Sequence, residues 1–124
     1  MLADHPVHTT LPAKDLARAK QFYTDKLGLT PESEMAGGIF FRCGGTRFLV
    51  FPSGGAASGS HTQMGWAVDN IEAEVSALKA RGVVFEEYDS PNLKTVNSIA
   101  TPGPLKSAWF KDTEGNLLGL VQFL

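Results

Sequence analysis

The side chains able to do chemistry near neutral pH are few: three histidines at His5, His8 and His61, one cysteine at Cys43, and scattered carboxylates. His8 stands in PVHTTL, and His61 lies just ahead of Gln63 in HTQMGWAV. An imidazole donates, accepts or ligates a metal, and a Gln amide adds a neutral oxygen. His8 therefore has three readings: a metal ligand, a hydrogen-bonding group facing a cleft without a metal, or an ordinary strand histidine. His61 shares strand parity with Gln63, so His8, Gln63 and His61 together would make the fullest coordinating set. His61, however, follows Gly59-Ser60 and is expected on a linker, and His5 has the opposite parity to His8. Cys43, in IFFRC, has no partner for an internal disulfide and reads as a small buried hydrophobe. No G-x-S-x-G elbow or Cys/His pairing marks a nucleophile. GGTRFLV and GGAASGS lack the following helix that a phosphate cradle needs.

The elements that must position these groups repeat along the chain. PVHTTL (6–11) reads as a strand, and Asp15 to Leu27 carries Leu16, Ala19, Phe22, Tyr23 and Leu27 at amphipathic-helix spacing, with Gly28 as its cap. Strands follow around Glu32 to Met35, Gly38 to Cys43 and Arg47 to Pro52, separated by Gly turns. After PSGGAASGS the order begins again, with a strand at Gln63 to Val68, a helix at Asn70 to Arg81 and Gly82 as cap. DLARAKQFYTDKLGL matches NIEAEVSALKARGV after one deletion, and FFRCGGTRFLVF matches WFKDTEGNLLGLVQF around a Gly turn. Each half reads β-α-β-β-β, giving module 1 at about 1–53, a Gly/Ser linker at about 54–60 and module 2 at about 61–124. The stretch Ser90 to Ser107 is polar, Pro-rich and longer than a structural connection needs, which suits a lid or plain disorder.

Near the end, DTEGNLLGLVQ places Gly119 inside an apolar strand, where glycine marks a bulge, a bend or a close approach. With HTTLPAKDLARAKQFYTDKLGL and AVDNIEAEVSALKARGV, the motif AWFKDTEGNLLGLVQ resembles the vicinal oxygen chelate (VOC) superfamily. That group spans glyoxalase, bleomycin resistance protein and dioxygenase types. The resemblance covers nearly the whole chain, with Thr113 where the family turn carries proline. It implies an α+β fold, a single VOC domain over 1–124 in which two βαβββ modules curl a sheet around a cleft. Ligands would project from the first and last strand of each module, at His8, Leu49, Gln63 and Gly119. Metal-using members fill these positions with His, Gln and Glu. Here only His8 and Gln63 could coordinate, and two neutral ligands without a carboxylate hold a divalent ion weakly.

Gly119 thus stands where the family would put a glutamate, and the gap is expected to enlarge a cleft for an organic ligand. Strand parity adds Thr10, Gly65, Leu117 and Val121 to that face, and the resemblance adds Trp109 and Phe40 as rings on the wall. Tyr88, Leu93 and Ile99 are expected to complete it, while Trp66 is expected to pack on the second helix. The leading reading is a small-molecule binding protein with a degenerate metal site and no cofactor, sequestering an apolar or aromatic compound. The alternative is a metal-dependent lyase, isomerase or dioxygenase acting on an oxygen-bearing substrate. It would need a shifted register, or a carboxylate from Glu32, Glu34 or Glu114 swung into place. A glutathione substrate would want Arg42, Arg47, Lys106 or Lys111 at the mouth.

Composition narrows the partners. The net charge is -2 with 11 basic and 13 acidic residues scattered without runs, which excludes a nucleic-acid or anionic-membrane footprint. MLADHPVHTT has neither a basic nor an apolar leader pattern, which predicts a cytoplasmic chain. Half-sized sheets with open edges predict a homodimer, with the modules either closing on themselves or exchanged between copies.

Overall fold

The computed structural model describes residues 1–55 and 57–124. The linker expected over 54–60 includes position 56, which lies outside the described residues. The first sheet takes strands β1 (Thr9–Ala13), β2 (Pro31–Met35), β3 (Gly38–Cys43) and β4 (Thr46–Pro52) in the order β1-β4-β3-β2. The second takes β5 (Thr62–Ala67), β6 (Leu105–Lys111) and β7 (Leu117–Phe123) in the order β5-β7-β6. In each sheet the first strand runs parallel to the last, β1 with β4 and β5 with β7, and the remaining pairs are antiparallel. The repeat read from the sequence is therefore a repeat of topology. The second module is the leaner one: where its extra strand is expected, Phe85 makes a lone bridge to Phe110, and Glu86 N–H donates to Trp109 O.

The helices start where side chains satisfy their first amides. Asp15 accepts from Arg18 N–H ahead of α1 (Leu16–Gln21), and Asn70 accepts from Ala73 N–H ahead of α2 (Ile71–Ala80). α1 loosens into a π-helical turn over Phe22–Lys26 before Gly28 leaves it at φ +72°. That turn rotates Phe22 and Tyr23 so that both meet the sheets. β1 begins at Thr9, later than expected, which leaves His8 at the mouth of the strand.

One core serves both modules. Leu11, Ala13, Ile39, Phe41, Phe48 and Val50 of the first sheet join Ala108, Phe110, Leu118 and Leu120 of the second, with Tyr23, Ile71 and Val75 from the helices. Trp66, expected against the second helix, lines one cavity with Glu74 and Leu78 of that helix and also bridges the sheets. Its ring stacks on Phe110 at 6.3 Å and meets Phe48 edge-on at 6.3 Å. Phe22 reaches Phe110 at 6.5 Å. Because the helix-bearing faces share this core, the opposite faces of the two sheets turn away from it. No helix among the described residues is long and apolar enough to cross a membrane.

Candidate functional site

Most of the residues expected around one cleft fall into two patches in the single chain, while His8 and Gly65 line one cavity of about 430 Å³ between the two sheets. On the first sheet the strand register aligns Thr10 with Leu49 and Leu49 with Phe40, so the three share the outward face, with His8 just beyond. His8 is exposed and sets its ring edge-on to Phe40 at 5.3 Å. The Arg47 guanidinium lies over one face of the Phe40 ring, 4.2 Å from the centroid. On the second sheet Gly65 aligns with Gly119, Gly119 with Trp109, and Val121 with both Ala67 and Ser107, with Leu117 further along the same face.

Gln63 is the residue that the structure moves. The β5–β7 ladder slips between Thr62 and Met64, so Thr62 opposes Leu117 and Gln63 drops out of the alternation. The Gln63 amide turns to the β6–β7 turn, where its Nε2 donates to Asn116 Oδ1 at 3.0 Å and its Oε1 accepts from Leu117 N–H at 3.3 Å. Thr62 takes the outward position, with its Oγ1 accepting from Trp109 Nε1 at 3.0 Å.

The Gly119 gap is also filled rather than open. A Cβ there would stand 3.3 Å from the Thr62 methyl and 3.5 Å from Trp109 Cδ1. The missing side chain is what lets the indole lie across β7, and Tyr88 holds the ring from its side at 5.5 Å, edge-on. Trp109, half-buried with its N–H already used, presents an aromatic floor whose remaining chemistry is apolar.

The other expected wall residues go elsewhere. Ile99 packs against the core, and Leu93 lines a small cavity within the 90–102 segment. That segment is built rather than loose. Glu87 accepts from Ser98 N–H at 3.2 Å, from the Ser98 hydroxyl and from Thr95 Oγ1 at 2.8 Å, and Ser98 is fully buried. Asn97 and Ser98 adopt φ of 53° and 72°, a conformation these bonds must maintain. His61 stays on the connection, with Nδ1 3.2 Å from Ser58 Oγ.

The donor set does not fit a family-type metal. Leu49 and Gly119 carry no donor, and the Gln63 amide is committed to Asn116 and Leu117. Among the described residues no three His, Cys, Asp or Glu side chains come together. The carboxylates that could have replaced the missing ligand are held by cations. Glu34 pairs with Lys20 at 3.0 Å, Glu32 with Arg42 and with Arg47 at 3.3 Å, and Glu114 with Arg18 at 2.8 Å. Of the mouth cations, Lys106 pairs with Glu72 and Lys111 with Glu86 at 3.7 Å.

The turn Asp112 to Asn116 joins the two modules through a set of mostly buried hydrogen bonds. Asp112 Oδ2 accepts from Tyr23 Oη at 2.6 Å and Asn116 Nδ2 at 2.8 Å, while its Oδ1 accepts from the amides of Glu114 and Asn116. Asn116 Nδ2 also donates to Pro12 O at 3.0 Å. Glu114, its side chain 1% exposed, accepts from Arg18 Nε and Nη2 and from Asp15 N–H.

Hydrogen bonding from Arg18, helped by the Asp15 amide and the Thr113 hydroxyl and opposed by burial, lowers the Glu114 pKa from the ordinary 4.5 to about 2. The folded value lies below the unfolded one. The stabilisation is therefore complete above about pH 4.5 and is lost as pH falls from there toward 2. Glu114→Gln should remove on the order of 2 kcal/mol at pH 7, discounted because Arg18 is half exposed, and almost nothing at pH 2. Urea midpoints across that range, wild type against variant, measure it.

Two modules of parallel-closed sheets, each with its helix, define the βαβββ class of fold. The chain belongs to the Glyoxalase/Bleomycin resistance protein/Dioxygenase superfamily, whose family model matches residues 5–120. Among solved structures it is similar to UcmS2, at 21% identity over 94% of this chain and 96% of that one, with a TM-score of 0.74. It is also similar to the genomically encoded fosfomycin resistance protein FosX from Listeria monocytogenes, at 17% identity over 97% and 93% of the two chains, TM-score 0.71. A glyoxalase/bleomycin resistance protein/dioxygenase from Nocardioides gives 22% identity over 97% and 85%, TM-score 0.69. These likenesses speak for the fold. No curated protein sequence matches the chain.

Proposed function

We propose that this protein is a binding member of its superfamily that holds a small, largely apolar or aromatic compound without a metal. The observation that carries this is the pair Gly119 and Trp109. Where a metal-using relative would close its coordination sphere, this chain lays an indole across a glycine. A divalent ion needs anionic oxygen or several good nitrogen donors, and this face offers neither, whereas a tryptophan face suits a planar guest.

Within one chain His8 and Gly65 share a cavity, but the Phe40 and Trp109 patches point away from the shared core, and in this reading a second copy brings those two together. In such a homodimer the outward face of module 1, with His8, Thr10, Phe40 and Leu49, meets the Trp109 face of module 2 from the other chain. Phe40, Leu49 and Phe51 are only half-buried in the single chain, an apolar face of the kind an isologous partner covers.

Thermal-shift measurements against a panel of planar apolar metabolites and antibiotics, each with and without chelator, test the reading. At least one compound should raise the melting temperature equally in both conditions. Light scattering should give twice the 13.3 kDa chain mass at micromolar concentration. A clean monomer, or stabilisation that chelator abolishes, would reject it.

A further inference from the structure

The chemistry left unused beside the predicted cleft is cationic. At the open end of the first sheet, Arg42 and Arg47 are paired across β3 and β4 and share one counter-charge, Glu32. Glu32 meets Arg42 through Nε and Arg47 through Nη1, and the remaining guanidinium N–H groups have no partner among the described residues. Two fixed positive charges against one carboxylate leave an excess of one. Hydrogen bonding from Arg42 first, with the charges of Arg42 and Arg47, holds the Glu32 carboxyl below its ordinary range, so that balance persists at neutral pH.

The place has a shape as well as a charge. A cavity of about 430 Å³ is lined by Pro6, Val7, His8, Arg42, Thr46 and Arg47. Arg47 is fixed over the Phe40 ring at 4.2 Å, and His8 meets the same ring from its edge at 5.3 Å. Phe40 therefore acts as a platform that orients a guanidinium plane and an imidazole toward one space. A planar guanidinium fork matches a carboxylate, and its weaker hydration makes the exchange of water for an anion less costly than for an ammonium.

We propose that Arg47, with Arg42 and His8, forms an anion subsite, and that the natural ligand is an aromatic or apolar compound bearing one carboxylate-like negative charge. This rests on the binding reading above: the apolar body lies on Trp109 and the anionic end is held at Arg47. The positive charge that a metal would have supplied to an oxygen-bearing ligand comes here from guanidinium. The excess of a single charge selects a monoanion over a phosphate dianion.

Naphthoate, naphthamide and naphthyl phosphate make the test, because they share one ring system and differ in charge. Calorimetry on the wild-type protein in chelator should show naphthoate bound about tenfold or more tightly than naphthamide, the preference shrinking as salt rises. Arg47→Met and Arg42→Met, both at exposed positions, should each lower naphthoate affinity by a larger factor than naphthamide affinity and so shrink the preference. Arg47→Lys should recover part of it. Equal binding of acid and amide would overturn the anion subsite while leaving the binding reading intact. Tighter binding of naphthyl phosphate would overturn the monoanion assignment. Binding of none of the three would reject the subsite and count against the cleft itself, and binding only after divalent metal is added would reject both.

Discussion

Asp112→Ala should cost about 3 to 5 kcal/mol of folding stability, enough to remove a large part of what holds a domain of this size together. The carboxylate is 5% exposed and is the common acceptor for a tyrosine hydroxyl, an asparagine amide and two backbone N–H groups. Deleting it strands these donors where water cannot reach all of them, and each stranded donor costs about 1 to 3 kcal/mol before relaxation. Tyr23→Phe is the informative partner variant. It removes a single bond of the set and a hydroxyl rather than the acceptor, so about 1 to 2 kcal/mol is expected. Denaturant midpoints with unchanged slopes give both values. A loss below about 1 kcal/mol for Asp112→Ala would mean that the turn relaxes and rehydrates, and that the two modules are held by the apolar core alone.

This turn also shows how unevenly the structure was legible in the sequence. The repeat and both helix caps follow from local pattern. Asp15 and Asn70 precede apolar 3.6-residue periods, and Gly28 and Gly82 adopt the positive φ that ends them. The motif around Asp112 was visible as a family signature, yet its physical purpose was not. Its partners, Tyr23 and Pro12, lie 89 and 104 residues away from the groups they meet.

The candidate site was read less well, for a specific reason. Alternation assigns faces only while the ladder is regular, and one slipped residue between Thr62 and Met64 inverted the assignment of Gln63. No residue type at that point announces the slip. Gly119 was read as space because a missing side chain is all that a sequence records. The indole that fills the gap comes from the neighbouring strand. Phe40 was read as a ring on the wall, and the guanidinium over one of its faces comes from Arg47 on β4. In the long connection, Pro and polar residues suggested a lid, but Glu87 supplies the acceptors that tie Thr95 and Ser98 down.

Gly38→Ala should strongly destabilise the whole chain, while Gly37→Ala beside it should be close to neutral. Gly38 sits at φ +136°, a region that L residues rarely adopt, and a Cβ there would press into the carbonyl oxygen of Val50 and lie 2.9 Å from Leu49 Cδ1 and 3.1 Å from Phe51 Cα. Backbone strain and overpacking against a strand that cannot swing aside add to about 3 kcal/mol or more. Gly37 has nothing within 4 Å of the same imagined atom. The contrast separates steric exclusion from any general effect of placing alanine in this turn, and melting temperatures of the two variants measure it. The displaced residue is Leu49, one of the apolar side chains on the outward face of module 1. If that face is a ligand wall, whatever Gly38→Ala protein remains folded should bind the panel compounds more weakly. Unchanged affinity would place the binding surface away from β4.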